Sequence, residues 1–290
     1  MIELYERYKS LLFRLAYQLT GSVSDAEDAV QDVFVKLQNV NVQVSQLSEP
    51  KAYLCKMVTN RCLDHLRSAK TRREQYVGPW LPEPFLTPTE DDAFEAVVRN
   101  DLLSYALLAL LERLTPSERA VFVLREALGF DYPAIAGLID KSEANCRKLM
   151  SRARGKMGVS EEELAGAGTV GEEWIQHFLA ALSQGNVETV LELLADDSVV
   201  VSDGGGKVLA AIQPIVSKER VARFLLGIIR KGQQELVVDL AIELVPINGQ
   251  IAVVMREGGS VTNVIFLQEK QGLMQEMYIV RNPDKLAHLQ

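Results

Sequence analysis

Apolar residues at the start of the chain recur at helical spacing. Leu4, Leu11 and Leu15 belong to one series of this kind, in which polar residues occupy the intervening positions. The spacing predicts an amphipathic helix over residues 3–19 that ends near Gly21. A helix with one apolar face needs partners, so we expect an N-terminal helical bundle.

Two further helices are predicted before residue 70. In the segment SDAEDAVQDVFVKL, Ser24 followed by Glu27 predicts a capping box at the start of the second helix. Ser48 and Pro50 predict the start of the third, because proline suits the first turn of a helix. Everything up to residue 70 is therefore expected to be helical.

The pattern then changes to a proline-rich stretch. Residues 71–90, TRREQYVGPWLPEPFLTPTE, hold four of the ten prolines, which predicts an extended linker between two domains. Thr87, Pro88 and Glu90 predict the capped start of a long helix that continues to Leu114.

A second capping box, TPSE at 115–118, predicts the first of three short helices. These are expected at about 116–127, 131–139 and 142–157, separated by Gly129 and by the break at 140–141. This order is typical of a helix-turn-helix.

The remaining chain alternates between helical and β-rich segments. Helices are predicted at about 171–183, 186–195 and 217–230. The β-rich runs are SVVVSD, KVLAAI, ELVVDLAIELVPI, QIAVVMRE, VTNVIFLQEK and LMQEMYIV. Their short spacing and glycine-containing turns predict an antiparallel curved sheet packed on helices, an α+β domain.

Composition limits the classes of function. The chain has 290 residues and a formal net charge of −8, which disfavours a wholly basic nucleic-acid binder. It shows neither a signal-peptide layout nor an apolar run long enough for a membrane span, so a cytoplasmic protein without a membrane segment is expected. Cys55, Cys62 and Cys146 lack metal-ligand spacing and are predicted to be reduced core thiols. No metal, cofactor or catalytic residue is expected.

Two predicted helices carry a basic face. On the helix at 142–157, Cys146, Met150 and similar residues form an apolar side, opposite a basic one. The second helix of a helix-turn-helix places its N-terminal residues at base edges and later ones near phosphates. The DNA-facing candidates are Ala144, Arg147, Lys148, Ser151 and Arg152, with Arg154 and Lys156 also near phosphates.

The helix at 50–67 has a polar stripe that includes Lys56, Asn60 and Arg67, with Arg61 adding charge near its end. An ordinary solvated face is the alternative for both helices, and the neighbouring segments decide between them.

Those segments resemble a known family. DAEDAVQDVF, AYLCKMVTNRCLDHLR and LTPSERAVFVLREALGFDYPAIAGLI, in this order, resemble the extracytoplasmic-function (ECF) sigma factors of bacterial RNA polymerase over about residues 1–157. The resemblance implies an all-α region 2 domain at 1–70, a linker at 71–97 and an all-α region 4 helix-turn-helix domain at 98–160.

The resemblance also implies roles for residues. Core-polymerase contacts, expected at the β′ clamp helices and the β flap, would include Asp28, Gln31 and Asp32. Lys56, Asn60, Arg61 and Arg67 would contact the minus-10 element, and the helix-turn-helix would read the minus-35 element.

Residues 168–290 are predicted to form a third domain, which resembles the SnoaL-like α+β cone fold. Combined with WLPEP (80–84), DGGGK (203–207) and NPDKL (282–286), the chain resembles the SigJ-like subgroup, in which such a domain is fused to an ECF sigma factor. These motifs are predicted to form an interdomain regulatory contact. Its candidate residues are Trp80, Leu81, Pro82, Asp203, Gly205, Lys207, Asn282, Pro283 and Asp284.

DGGGK is not expected to bind a nucleotide. A P-loop needs Ser or Thr after its lysine and a helix beyond it, whereas Lys207 precedes Val208 and a predicted strand. A plain hairpin turn remains open, but docking against the sigma part or against the linker at 80–84 is preferred, because Trp80 and Leu81 have no element of their own to bury them.

We therefore expect a promoter-specificity subunit whose activity the C-terminal domain modulates in cis, with core RNA polymerase and promoter DNA as partners. A small ligand in the C-terminal domain stays open. The alternatives are a one-component ligand-sensing helix-turn-helix regulator that binds DNA alone, and a SnoaL-like enzyme. The latter is disfavoured because His177 and His288 have no carboxylate partner at the positions used by related isomerases.

Overall fold

The computed structural model describes residues 2–40, 49–86, 104–158, 170–234 and 239–290. The chain forms two compact units. One comprises Met1–Glu74 and Pro88–Ala165, and the other Gln75–Thr87 and Gly166–Gln290. The predicted long-helix start at 87–90 and the predicted cap at Ser48 lie outside the described residues.

The first unit is helical. Its helices are α1 (Ile2–Thr20), α2 (Val23–Val40), α3 (Pro50–Glu74), α4 (Tyr105–Leu111), α5 (Pro116–Glu126), α6 (Tyr132–Leu138) and α7 (Glu143–Met157). Helix α3 extends to Glu74, so the expectation that the helical segment ends by residue 70 was wrong.

Local capping explains where two of these helices begin. The Thr115 side chain accepts from the Glu118 amide while the Glu118 carboxylate accepts from the Thr115 amide, which confirms the predicted capping box of α5. The predicted box at Ser24 was wrong, because α2 already begins at Val23. Ser22 caps this helix instead, with its Oγ 3.2 Å from the Asp25 amide nitrogen.

A buried arginine connects α5 with the ends of α1 and α4 inside the first unit. Arg119 on α5 donates to the carbonyl oxygens of Leu111 and, at 2.9 Å, of Leu19 at the end of α1. Its charge is balanced by Glu112, 2.9 Å away. A fully hydrogen-bonded guanidinium can occupy a protein interior, so Arg119 satisfies carbonyls that the ends of α1 and α4 leave unpaired.

The second unit packs helices on a six-stranded sheet. Its elements are α8 (Glu172–Ser183), α9 (Val187–Glu192), β1 (Leu194–Asp203), β2 (Ile215–Val216), α10 (Lys218–Gln234), β3 (Leu240–Ile247), β4 (Gln250–Glu257), β5 (Ser260–Lys270), β6 (Leu273–Val280), α11 (Pro283–Leu286) and a short 3-10 helix, Ala287–Leu289. The strand order is β2-β1-β6-β5-β4-β3. The apolar core includes Phe178, Val200, Leu225 and Met277.

The sheet departs from the prediction in two places. Strands β3 to β6 pair antiparallel as expected, but β1 runs parallel to β6. The segment KVLAAI at 207–212 is not a strand. Gly205 and Gly206 have φ angles of +60° and +70°, and the Gly204 carbonyl accepts from the Lys207 amide, so the chain turns back after Asp203.

Candidate nucleic-acid interface

The helix-turn-helix presents one uniformly exposed surface. Ser142 caps α7 through the Asn145 amide, and α7 buries Cys146, Leu149, Met150 and Ala153. The opposite side exposes every residue predicted to face DNA: Ala144, Arg147, Lys148, Ser151 and Arg152. This helix can therefore enter a groove without loss of its packing.

Some of the basic side chains on α7 form ion pairs, and others do not. Arg147 lies 2.6 Å from Glu143 and stacks over the Tyr132 ring at 4.4 Å from its centroid. Arg154 pairs with Glu126 at 2.9 Å, so its guanidinium is tied to α5. Within the described residues, Lys148 and Arg152 have no ion pair, and they remain available for phosphates.

Lys156 is tied to the start of α5. Its Nζ lies 2.6 Å from the Glu118 carboxylate, which also caps Thr115. Burial alone would raise the pKa of Glu118, but hydrogen bonds from Lys156 and Thr115 outweigh burial and lower the pKa of this carboxyl. The last turn of α7 is therefore anchored to the unit by charge.

The polar stripe of α3 is partly engaged inside the first unit. Lys56 Nζ donates to Asp140 Oδ1 at 2.7 Å and to the Gly137 carbonyl at 2.9 Å, at the turn of the helix-turn-helix. Arg61 donates to Asp32 on α2 at 2.7 Å. Arg67 pairs with Asp64 at 3.1 Å, and Asn60 on the same helix is half-buried.

Helix α2 exposes the residues predicted to contact the polymerase. Asp28, Gln31 and Asp32 lie on one exposed face, while Val30 and Val33 are buried on the other. The same face also carries Val35, which is 55% exposed and which the sequence reasoning did not select. A single exposed apolar residue is common on protein surfaces, so Val35 by itself indicates no contact.

Asp203 is the centre of a contact inside the second unit, between the linker residues 76–81 and the part of the unit after residue 166. It is fully buried, and its carboxylate accepts from the Leu81 amide at 2.9 Å and from the Tyr76 hydroxyl. Lys285 balances its charge at 2.8 Å. Burial is the main cause that raises the pKa of Tyr76, and the hydrogen bond to Asp203 adds to it.

Lys285 holds the linker through three kinds of interaction. It is 3% exposed, donates to the Leu81 carbonyl as well as to Asp203, and lies 3.4 Å from the Trp80 ring centroid. Leu81 is buried at 2% exposure. A buried ion pair is stable only when its remaining hydrogen-bond capacity is satisfied, and here the linker backbone supplies both a donor and an acceptor.

Gly205 lets the loop approach the linker closely. A Cβ built at this residue would lie 2.3 Å from Asn282 Nδ2 and 3.1 Å from the Tyr76 hydroxyl oxygen. Asn282 in turn donates to that hydroxyl at 2.9 Å and caps α11. The glycine is therefore required both by its φ of +60° and by the space around it.

The end of the linker, residues 84–86, makes a second set of contacts with the β3–β4 turn and the 3-10 helix. Phe85 exchanges two hydrogen bonds with Asn248, and Leu86 pairs with Ile247 as an isolated antiparallel bridge. His288 lies 2.6 Å from the Pro84 carbonyl oxygen. This histidine belongs to the short 3-10 helix Ala287–Leu289.

The structure brings the predicted regulatory residues together, with two distinctions. Lys207 does not reach the linker; it pairs with Asp284 at 2.6 Å on the surface. Pro82 is buried, whereas Pro283 is exposed at the first turn of α11. The sequence reasoning missed Tyr76, Lys285 and Asn248, although Lys285 lies inside the quoted NPDKL motif.

The cysteines belong to the helical core. Cys55, Cys62 and Cys146 are free and buried, and burial raises the pKa of the first two to about 12. In the described ranges, His, Cys, Asp and Glu side chains form no group of three or more that could hold a metal ion. Across the same part of the chain, every helix is too short or too polar to span a bilayer.

Comparison with known proteins identifies both helical regions. The family models for Sigma-70 region 2 and Sigma-70 region 4 match residues 4–72 and 104–157. The ECF RNA polymerase sigma factor SigJ of Mycobacterium tuberculosis is 34% identical over 229 residues, which cover 78% of this chain and 72% of the relative. A probable ECF RNA polymerase sigma factor of the same species, SigI, is 30% identical over 98% of this chain and 94% of its own length. The crystal structure of M. tuberculosis SigJ aligns with a TM-score of 0.76 and 28% identity, covering 99% of this chain and 98% of that one.

Proposed function

The chain belongs to the ECF family of RNA polymerase sigma factors, and on this basis we propose that its second unit regulates a promoter-directing subunit in cis. Regions 2 and 4 give the chain the function of directing RNA polymerase to promoters. The proposed site of action is the cytoplasm, where RNA polymerase works. The added step is control by the second unit instead of by a separate inhibitor.

The helix-turn-helix is the proposed reader of the minus-35 element. The N-terminal part of α7 would place Ala144, Arg147 and Lys148 at base edges, and Arg152 would contact phosphate. The observation that supports this assignment is the exposure of all these side chains on a helix whose other face is fully packed.

Region 2 is the proposed contact for the minus-10 element and for the core enzyme. Asn60, Arg61 and Arg67 lie along α3, where they can meet a strand of opened DNA, and Asp28, Gln31 and Asp32 lie along α2. The Arg61–Asp32 ion pair links these two faces, so binding on one is expected to affect the other.

One observation carries the regulatory proposal: the Asp203–Lys285 pair holds both backbone polar groups of Leu81 inside the second unit. Leu81 belongs to the segment of chain that connects the two promoter-reading regions. Residues 75–86 would span about 40 Å if extended, at 3.3–3.6 Å per residue. When the second unit holds this segment, the segment cannot extend. The second unit then limits the distance between regions 2 and 4 when they bind a promoter.

The one-component alternative fits the chain less well. A helix-turn-helix regulator that binds DNA alone would give no role to region 2, which matches over residues 4–72. The sigma factor assignment uses both regions.

Run-off transcription with purified core polymerase tests the proposal. We compare the full chain with Asp203→Asn, which removes the charge that holds Lys285, and with Lys218→Gln as a control on an exposed ion pair of the same unit. Cis regulation predicts a several-fold change for Asp203→Asn and none for the control. Equal transcription by all three proteins would reject regulation through this contact, and a wild-type chain that does not direct transcription would reject the sigma factor role itself.

A further inference from the structure

Helix α10 has an exposed face that no role proposed above uses. Val221, Ala222, Leu225 and Leu226 pack into the core of the second unit. The exposed positions include Arg220, Arg223, Gly227 and Arg230. At 3.6 residues per turn these four positions lie within about 80° of one another around the helix axis, so they form one stripe. We call Arg220, Arg223 and Arg230 the arginine stripe.

The charges of the arginine stripe are not neutralised by any ion pair among the described residues. In the part of the chain that the structure describes, none of the three has an ion pair, whereas the neighbouring Lys218 lies 3.4 Å from Asp196. The helix contains five basic residues and one acidic residue in a chain with a net charge of −8. A local positive face on an acidic protein indicates an anionic partner.

The dimensions of the stripe suit a DNA backbone. Arg220 and Arg230 are separated by about 15 Å along the helix, at 1.5 Å per residue. Duplex DNA carries one charge per 1.7 Å of its axis, and its major groove is about 12 Å wide, so several phosphates lie within this span. Guanidinium groups bind phosphate oxygens with two parallel hydrogen bonds.

Gly227 keeps the middle of the stripe open. A Cβ built at this residue would meet nothing within 4 Å, so packing inside the unit does not require a glycine. Glycine costs about 1 kcal/mol relative to alanine in a helix interior. Because Gly227 has no side chain, the helix backbone is accessible between Arg223 and Arg230, where a sugar-phosphate backbone can approach it.

We propose that the arginine stripe binds the phosphate backbone of duplex DNA. The second unit then adds a sequence-independent contact to those of regions 2 and 4. The inference rests on the proposed function in one respect, since a promoter is the polyanion that a sigma factor meets. A membrane fits less well, because an interfacial helix inserts its apolar face and the apolar face of α10 is already buried.

The salt dependence of DNA binding tests this proposal. The full chain is titrated against a labelled duplex of non-promoter sequence at several salt concentrations. Each lost phosphate contact lowers the slope of log K against log salt by about 0.9, so R220Q/R223Q/R230Q should lower it by about 2–3. R220K/R223K/R230K keeps the charges and should keep the slope. The matched control R7Q/K9Q/R113Q removes three exposed charges from the first unit and should also keep the slope.

Three results would overturn the proposal. The first is that the glutamine triple variant retains the wild-type slope. The second is that the matched control loses as much slope as that variant. In the third, the triple variant binds DNA normally but loses affinity for core polymerase, which would assign the stripe to an acidic protein surface. Failure of the proposed function would appear elsewhere, as a wild-type chain that does not direct transcription with core polymerase.

Discussion

Lys56 on α3 lies 2.7 Å from Asp140 at the turn of the helix-turn-helix. The lysine belongs to the stripe proposed to contact the minus-10 element, and the aspartate to the domain proposed to read the minus-35 element. The ammonium group donates to Asp140 and to the Gly137 carbonyl, which leaves one of its three hydrogens for another acceptor. We therefore expect the contact within the first unit to compete with a DNA phosphate for the charge of Lys56.

Asp140→Asn is expected to strengthen DNA binding by the free protein. The substitution keeps the shape of the side chain and tolerates the φ of 51°, but it weakens the hold on Lys56. Because the pair is exposed, the free energy of unfolding should fall by less than about 1 kcal/mol. Fluorescence anisotropy with a duplex measures the affinity. Asp197→Asn is the control for net charge, and an equal gain by that control would contradict the competition.

Asp203→Asn is expected to destabilise the second unit. Loss of one partner of a buried ion pair leaves Lys285 uncompensated, at a cost of about 3–5 kcal/mol. Chemical denaturation of the full chain, followed by the fluorescence of Trp80 and Trp174, measures the change. Lys207→Gln removes an exposed ion pair of the same unit and should cost less than about 1 kcal/mol. A similar fall in the free energy of unfolding for both variants would contradict the claim that burial makes the Asp203–Lys285 pair more important than an exposed pair.

Gly205→Ala is expected to loosen the linker contact. The new methyl group would overlap Asn282, and alanine would also have to adopt the positive φ of this residue. A positive φ alone costs about 1 kcal/mol, so the free energy of unfolding should fall by more than that. Gly185→Ala is the matched control, since its φ is +66° and a Cβ there meets nothing within 4 Å. Limited proteolysis of residues 75–86 reports on release of the linker. Equal cleavage of the two variants would show that the close approach to Asn282 is unimportant.

Glu118→Gln is expected to reduce stability only when the carboxyl is ionised. The folded protein lowers the pKa of Glu118 below its ordinary 4.5, so its contribution is present above that pH and is lost as the pH falls through the folded value. Glutamine can still accept from the Thr115 amide, so the variant keeps the capping box and loses the ion pair with Lys156 and the negative charge at the start of α5. This loss should cost about 1 kcal/mol near neutral pH. Denaturation at a series of pH values should show the difference from wild type vanish in acid. A pH-independent difference would exclude the ionised cap as the cause.

Arg152→Ala is expected to weaken DNA binding uniformly across sequences. Its guanidinium is exposed on α7, and loss of one phosphate contact should lower the salt slope by about 1. Arg154→Ala, two residues further, removes a side chain that pairs with Glu126 and should change the slope less. Binding curves for a duplex at several salt concentrations decide, and the reverse order of effects would reject the assignment of α7.

The elements that sequence patterns predicted correctly depend on local rules. The Thr115–Glu118 capping box and the turns at Asn248–Gly249 and Gly258–Gly259 are set within four residues, and the structure contains them. The failures involve choices that a local pattern leaves open. Ser22 and Ser24 are both suitable caps, and the apolar run at 207–212 satisfies strand propensity although no strand in the described part of the chain pairs with it.

Long-range contacts explain what was missed at the linker. The motifs around Trp80 and Asp203 were selected because they resemble a known subgroup, and the structure brings them together. Tyr76 and Lys285 reach Asp203 across 127 and 82 residues, which no periodicity reveals. The parallel pairing of β1 with β6 has the same origin, since a run of antiparallel hairpins does not determine where the first strand is placed.

The separation of Leu81 and Lys285 along the chain sets an order of events during synthesis. Leu81 is made 204 residues before the lysine that binds its carbonyl. At a translation rate of about 5–20 residues per second, this interval is about 10–40 s. Both promoter-reading regions thus emerge from the ribosome while the segment between them is still free. Each newly made molecule passes through an unfastened stage before Lys285 is made and closes the contact.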